Sequence, residues 1–175
     1  VIYSTIASSV LFSAPVFADG GDVIPTEPVA SAGFETSLTT GYHSKYIWRG
    51  LDFENDMVDL SLETSGSYAG LDLTAGVWHA RVLDQISGVP KNETDFYAEA
   101  SKDLGFATAS VGYIFYHFSD SSAGANDAQE VYFGLSKDIA GISTSLTYYW
   151  DIETDNQGYL ELGLEKSIAC PLSNF

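Results

Sequence analysis

The chain has 175 residues, with 24 Asp or Glu against 7 Lys or Arg, and a formal net charge of −17 at pH 7. That length suits one domain, and so acidic a balance excludes nucleic-acid binding, which needs basic surface. The lone cysteine, Cys170, excludes an internal disulfide and fits no metal-ligand spacing.

Residues 1–18, VIYSTIASSVLFSAPVFA, read as the rear of a secretory signal peptide. A short apolar core precedes Val16-Phe17-Ala18, which places small residues at both recognition positions of an A-x-A-like site. The basic region that opens such a leader is missing, so the chain is expected to be truncated there. A membrane anchor is the alternative, but the apolar run is short for a span. Residues 19–33 contain Gly and two Pro without periodicity, and read as a flexible periplasmic arm.

The stretch 34–50, FETSLTTGYHSKYIWRG, alternates. Phe34, Leu38, Tyr42, Tyr46 and Trp48 share one parity; Glu35, Gly41, His43, Lys45 and Arg49 share the other, and Ile47 is the misfit. A period of two predicts a β-strand with an apolar and a polar face. At ~3.3 Å per residue it would reach about 55 Å, enough for a tilted strand to cross a bilayer and extend beyond it.

Seven further strands are predicted at 57–69, 71–82, 94–102, 106–118, 128–137, 142–151 and 158–166. The first is the cleanest, with Val58, Leu60 and Leu62 opposing Asp59, Ser61 and Glu63. In the second the parity slips near Trp78, which predicts a bulge. The connections alternate in length. Those at 69–70, 103–105 and 138–141 are tight; those at 51–56, 83–93, 119–127 and 152–157 are longer and mostly polar or acidic. Tight turns at one end and long loops at the other predict an antiparallel up-and-down transmembrane β-barrel over 34–175, about eight strands in this fragment. A soluble up-and-down barrel or sandwich is the alternative.

Whether the apolar faces meet lipid or a core decides between the two. No run downstream of the leader is long enough for a membrane-spanning helix, and no helix is predicted to cover an apolar face. Aromatics crowd the strand ends beside the long loops: Tyr46, Trp48, Trp78, Phe115, Tyr148 and Trp150. Rings at that level match the interfacial girdle of a membrane protein. Lys102, Lys137 and Lys166 fall on the outward parity beside the short turns, where lysines snorkel to headgroups. Lipid is therefore the expected neighbour, and the outer membrane the expected location.

Ser44-Lys45-Tyr46-Ile47-Trp48-Arg49-Gly50 resembles the S-x-Y-x-x-R-G signature of the TorF-type porin family, also labelled Gcw_chp, and Gly76-Val77-Trp78 resembles its G-x-W segment. The similarity runs over roughly 34–172. The resemblance implies an outer-membrane β-barrel of about twelve strands in full-length members. This chain stops after the eighth. Its last residues lack alternating apolar positions and contain Pro171, which would break a ladder, so the barrel is expected to be cut short.

The inward parity gathers carboxylates. A lumen network of Asp59, Glu63, Asp95, Glu99, Glu130, Glu161 and Glu165, with Lys45 and Arg49 as its cations, would favour cations in a pore. For Arg49 three roles are open: a brace between strands through its forked donors, a pore-lining selectivity group, or a catalytic group. Asp151, Glu153, Asp155 and Asn156 resemble the oxygens of a calcium loop, but Asn156 replaces the needed Gly and Leu162 stands at the twelfth position. His43, His79 and His117 differ in parity, which argues against a shared metal. No local catalytic motif occurs, although a His–Asp pair could still assemble from separate strands.

No cofactor, metal or enzymatic activity is expected. The expected function is a porin-like barrel for passive diffusion of small cationic or neutral solutes. The alternative is a non-conducting structural or adhesive barrel acting through acidic loops, its lumen plugged by Tyr97, Tyr132, Tyr149, Tyr159 and Arg49. Expected partners are outer-membrane lipids and lipopolysaccharide, and the barrel-assembly machinery.

Overall fold

The computed structural model describes residues 33–53, 56–83, 92–119, 126–154 and 157–166, together with the backbone of 5–12. All described elements are strands: β1 (Thr5–Phe12), β2 (Glu35–His43), β3 (Ile47–Trp48), β4 (Leu51–Asp52), β5 (Met57–Tyr68), β6 (Leu71–Val82), β7 (Asn92–Asp103), β8 (Thr108–Phe118), β9 (Ala128–Ile139), β10 (Ile142–Asp151) and β11 (Gly158–Glu165). Nine of them form one antiparallel meander in the order β1-β2-β5-β6-β7-β8-β9-β10-β11, and β3 and β4 form a separate small hairpin.

The tight connections have a common geometry. Ala69 and Gly70 take φ 53° and 78°, and Ala140 and Gly141 take φ 54° and 75°. Two successive positive φ values make the two-residue hairpin turn whose twist suits antiparallel strands. Between β7 and β8, Asp103 caps the turn by accepting from the Gly105 N–H at 2.7 Å.

Alternation holds along every long strand. One face carries Val58, Leu60, Leu62, Phe96, Val111, Phe133, Leu135, Leu146 and the leucines of β11, all exposed. The opposite face carries carboxylates, hydroxyls and tyrosines. Buried apolar side chains among the described residues are few: Met57, Ala80, Val82 and Tyr116. The polar face is the concave one. A flat sheet would separate β2 from β11 by about 34 Å, seven strand spacings of ~4.8 Å. The six residues from His43 to Arg49 span at most about 20 Å. Yet the Arg49 guanidinium lies 4.6 Å from the ring centre of Tyr159 on β11. Bridging a flat sheet would need the segment and both side chains fully extended in line, whereas Tyr46 packs back against Met57 on β5, so the sheet curls around its polar face.

Two expectations are corrected. The strand expected over 34–50 ends at His43, where the chain leaves the sheet and folds into the β3–β4 hairpin. Arg49 (φ 49°) and Gly50 (φ 80°) make its turn, and Ile47, the misfit in the alternation, falls within it. The bulge expected near Trp78 is absent: pairing runs unbroken through Ser61, Trp78 and Asp95. Trp78 keeps the polar parity because its indole has an inward partner. From β2 onward the sheet holds the eight strands expected from the alternation, and the Thr5–Phe12 backbone pairs with the edge of β2, which would otherwise expose a row of unpaired amides. Among the described strands no ladder joins β11 back to β1.

Candidate functional site

The concave face is built from a repeated three-strand device. Tyr97 on β7 faces Gly76 on β6, and its ring lies over the space a side chain at 76 would fill; a Cβ there would sit 2.5 Å from the phenol. The hydroxyl thus crosses β6 and donates to Glu63 Oε2 on β5 at 2.8 Å. Two strands on, Tyr132 lies over Gly112 in the same way and donates to Glu99 Oε2 at 2.9 Å. A ring laid over a cross-strand glycine restores the packing the glycine lacks, and a phenol donating to a carboxylate is a strong hydrogen bond. Tyr132 continues into a row of rings with Tyr149 and Tyr159.

The β3–β4 hairpin docks on this face. Arg49 donates from Nη1 and Nη2 to the two oxygens of Glu130 on β9, at 2.7 and 2.6 Å. Its guanidinium also lies 4.4 Å from the centre of Trp48, 4.7 Å from Tyr149 and 4.6 Å from Tyr159. Ring faces attract a guanidinium. Burial alone would lower the Arg49 pKa, but the hydrogen bonds and charge of Glu130 outweigh it and hold the group above its ordinary value. Tyr116 donates to the same carboxylate at 2.8 Å, so Glu130, only 6 % exposed, is well supplied with donors. Tyr46 donates to Glu93 on β7, itself 7 % exposed. Burial and then the Glu93 charge push the Tyr46 phenol up. Lys45 pairs with Asp52 within the hairpin and stays partly exposed.

The other acidic residues lie as follows. Asp59 accepts from Trp78 Nε1 at 2.8 Å, and His43 Nε2 lies 3.4 Å from it. Asp95 is within electrostatic reach of Glu93 and Glu130, and its Oδ1 is buried without a hydrogen-bond partner among the described residues. Glu161 is exposed on β11. Glu165 lines a polar cavity of about 670 Å³ near the short turns, with Ser136, Ser143 and Ser145.

The six aromatics expected at an interface divide. Phe115, Tyr148 and Trp150 lie on the convex face; Phe115 stacks between Phe96 and His117, and Tyr148 and Trp150 are exposed. Tyr46, Trp48 and Trp78 lie on the concave side. Folding back at residues 44–50 turns the first two inward, where Tyr46 and Trp78 pack against Met57, Ala80 and Val82.

Among the described residues no three His, Cys, Asp or Glu side chains converge to hold a metal. His117 Nδ1 lies 3.1 Å from Asp127 Oδ1, the kind of pair an enzymatic reading would need, and His79 meets Thr94. In the acidic segment after β10, Asp151 Oδ1 accepts the N–H groups of Glu153 and Thr154, closing the turn on itself. Cys170 and most of the loops at 83–93 and 119–127 lie outside the described residues.

The sequence reading missed Glu93, Tyr116 and the glycines facing the tyrosines. Extending the alternation Asp95, Tyr97, Glu99 one step back would have found Glu93. Tyr116 was masked by aromatics on both parities in 115–118.

The chain matches, over residues 27–173, the family described as a bacterial protein of unknown function, Gcw_chp. It belongs to that family. The match covers the whole described sheet from β2 onward, including the segment 44–50 that builds the docked hairpin. No curated protein and no solved structure matches the chain.

Proposed function

We propose that this chain forms the wall of an outer-membrane β-barrel of the porin type, through which small cationic or neutral solutes diffuse passively. The observation that carries the reading is the inverted distribution of polarity. Leu160, Leu162 and Leu164 are 63, 65 and 67 % exposed on the convex face, while the concave face holds the carboxylates. A soluble domain would bury such a surface; in lipid it needs no cover, and every strand but an edge one has its backbone groups paired. An acidic lumen favours cations. No described helix is long and apolar enough to cross a membrane, and a barrel needs none. Export by a leader at 1–18 and contact with outer-membrane lipid belong to this reading. So does the TorF-type porin label suggested by 44–50.

Planar-bilayer recording of the full-length protein tests it. Stepwise conductance with cation preference is the expected result; anion preference would remove the acidic-lumen claim. A second reading, a non-conducting barrel with a structural or adhesive role, is favoured by the docked hairpin, since Arg49, Tyr46 and Trp48 fill part of the concave side. A folded, inserted protein without conductance would select it.

A further inference from the structure

Beside the docked hairpin lies a cavity of about 180 Å³ whose lining includes Tyr46, Trp48, Tyr116, Phe118, Glu93 and Glu130. Its walls are mostly ring carbon, and its polar groups are mostly acidic. Tyr46 and Tyr116 turn their hydroxyls to Glu93 and Glu130, and both residues line the cavity.

The charges here do not balance among the described residues. Arg49 pairs with Glu130. Glu93 receives only the neutral Tyr46 hydroxyl, and Asp95, within electrostatic reach of both glutamates, keeps a buried oxygen without a partner. Tyr46, Trp48 and Glu93 also line a second cavity of about 250 Å³, which Asp95 borders. A buried carboxylate without a cation is costly.

The neighbouring wall shows how this chain holds an organic cation. The Arg49 guanidinium rests among three rings, at 4.4 to 4.7 Å from their centres, with a carboxylate closing one side. The cavity next to it repeats that chemistry, with rings around Glu93; Arg49 reaches its Trp48 and Glu130 side, and among the described residues no cation of the chain pairs with Glu93. Its volume is below the range for drug-sized ligands. A metal fits poorly, because among the described residues no three ligating side chains converge there.

We propose that this aromatic cavity binds a small organic monocation, of the alkylammonium class, held by cation–π contacts with Tyr46, Trp48 and Tyr116 and by the charge of Glu93. The site deepens the porin reading and rests on it for access from the lumen. It makes the wall selective for one kind of cation rather than for positive charge in general.

The test is calorimetric titration of the full-length protein in detergent micelles with tetramethylammonium chloride, against sodium chloride at equal ionic strength. Saturable binding of tetramethylammonium but not sodium is expected. Glu93→Gln, which removes the charge, and Trp48→Leu, which removes a ring, should each weaken it by about tenfold, the order a cation–π contact or a close charge supplies. Asp72→Asn, at the opposite end of β6, should leave it unchanged. No saturable binding to the folded wild-type protein would overturn the site, as would equal binding of sodium or equal loss in Asp72→Asn. Bilayer conductance of the same preparation separates the two claims. Binding without conductance removes the pore and keeps the site; conductance without binding does the reverse.

Discussion

At the residue scale, Arg49 does the most. Its backbone occupies the left-handed region, which costs a non-glycine residue of order 1 kcal/mol. That cost persists because the side chain joins the hairpin to Glu130 on β9 and to the rings of β10 and β11. Both partners of the ion pair are largely buried, so removing one leaves the other uncompensated. Arg49→Ala should lower stability by about 3 kcal/mol, read from urea unfolding in lipid vesicles. Arg49→Ala with Glu130→Gln should recover a large part of that loss, because the stranded charge goes too. Asp127, in the connection before β9, offers a second measurement. Its carboxyl is held below the ordinary 3.8 by the hydrogen bond with His117 and then by the Phe118 N–H. A depressed carboxylate contributes stability above its unfolded pKa and loses it as pH falls through the folded value. The window therefore opens below 3.8. Carbon-13 titration of the Asp127 carboxyl should show the low value, and His117→Ala should raise it toward 3.8.

At the scale of elements, the tyrosine–glycine–glutamate rows set how the strands cohere. A methyl group at Gly112 would come within 2.1 Å of the Tyr132 phenol, so the ring must lift and the bond to Glu99 must go. Gly112→Ala should destabilise the sheet by about 2 kcal/mol, the usual range for overpacking plus a lost charged hydrogen bond. Thermal unfolding of this variant beside Tyr132→Phe, which keeps the ring and loses only the hydroxyl, separates the two contributions. The strands themselves were legible. The period of two placed β5, β6 and β10 to within a residue, because a side-chain alternation is a local property of each segment. The Ala-Gly turns were legible for the same reason. The β3–β4 hairpin was not. Its fold-back depends on partners such as Glu130, 81 residues away in sequence, and the local signs, the misfit Ile47 and the turn residue Gly50, do not fix where the hairpin docks. The three-strand rows were hidden too, since they need the register of three strands at once. Trp78 was misread as a slip, because a large ring on the polar parity looks like an error until Asp59 is seen beside it.

At the scale of the whole molecule, the chain is turned inside out relative to a soluble β-protein. Met57, Ala80, Val82 and Tyr116 make up the buried apolar side chains among the described residues, while leucines and aromatics cover the convex side. The curl of the sheet, the docked hairpin and the carboxylates all lie on the other side. Of the acidic wall expected from sequence, Asp59, Glu63, Asp95, Glu99 and Glu130 share the concave face, while Lys45 pairs with Asp52 in the hairpin. The central claim is that the convex face meets lipid and the concave face meets water. Spin labels placed one at a time from 131 to 136 along β9, on a Cys170→Ser background in lipid vesicles, test it most directly. Oxygen, which concentrates in lipid, should broaden the labels at 131, 133 and 135; a water-soluble nickel chelate should reach those at 134 and 136. Equal access of the nickel chelate to both sets would contradict the claim.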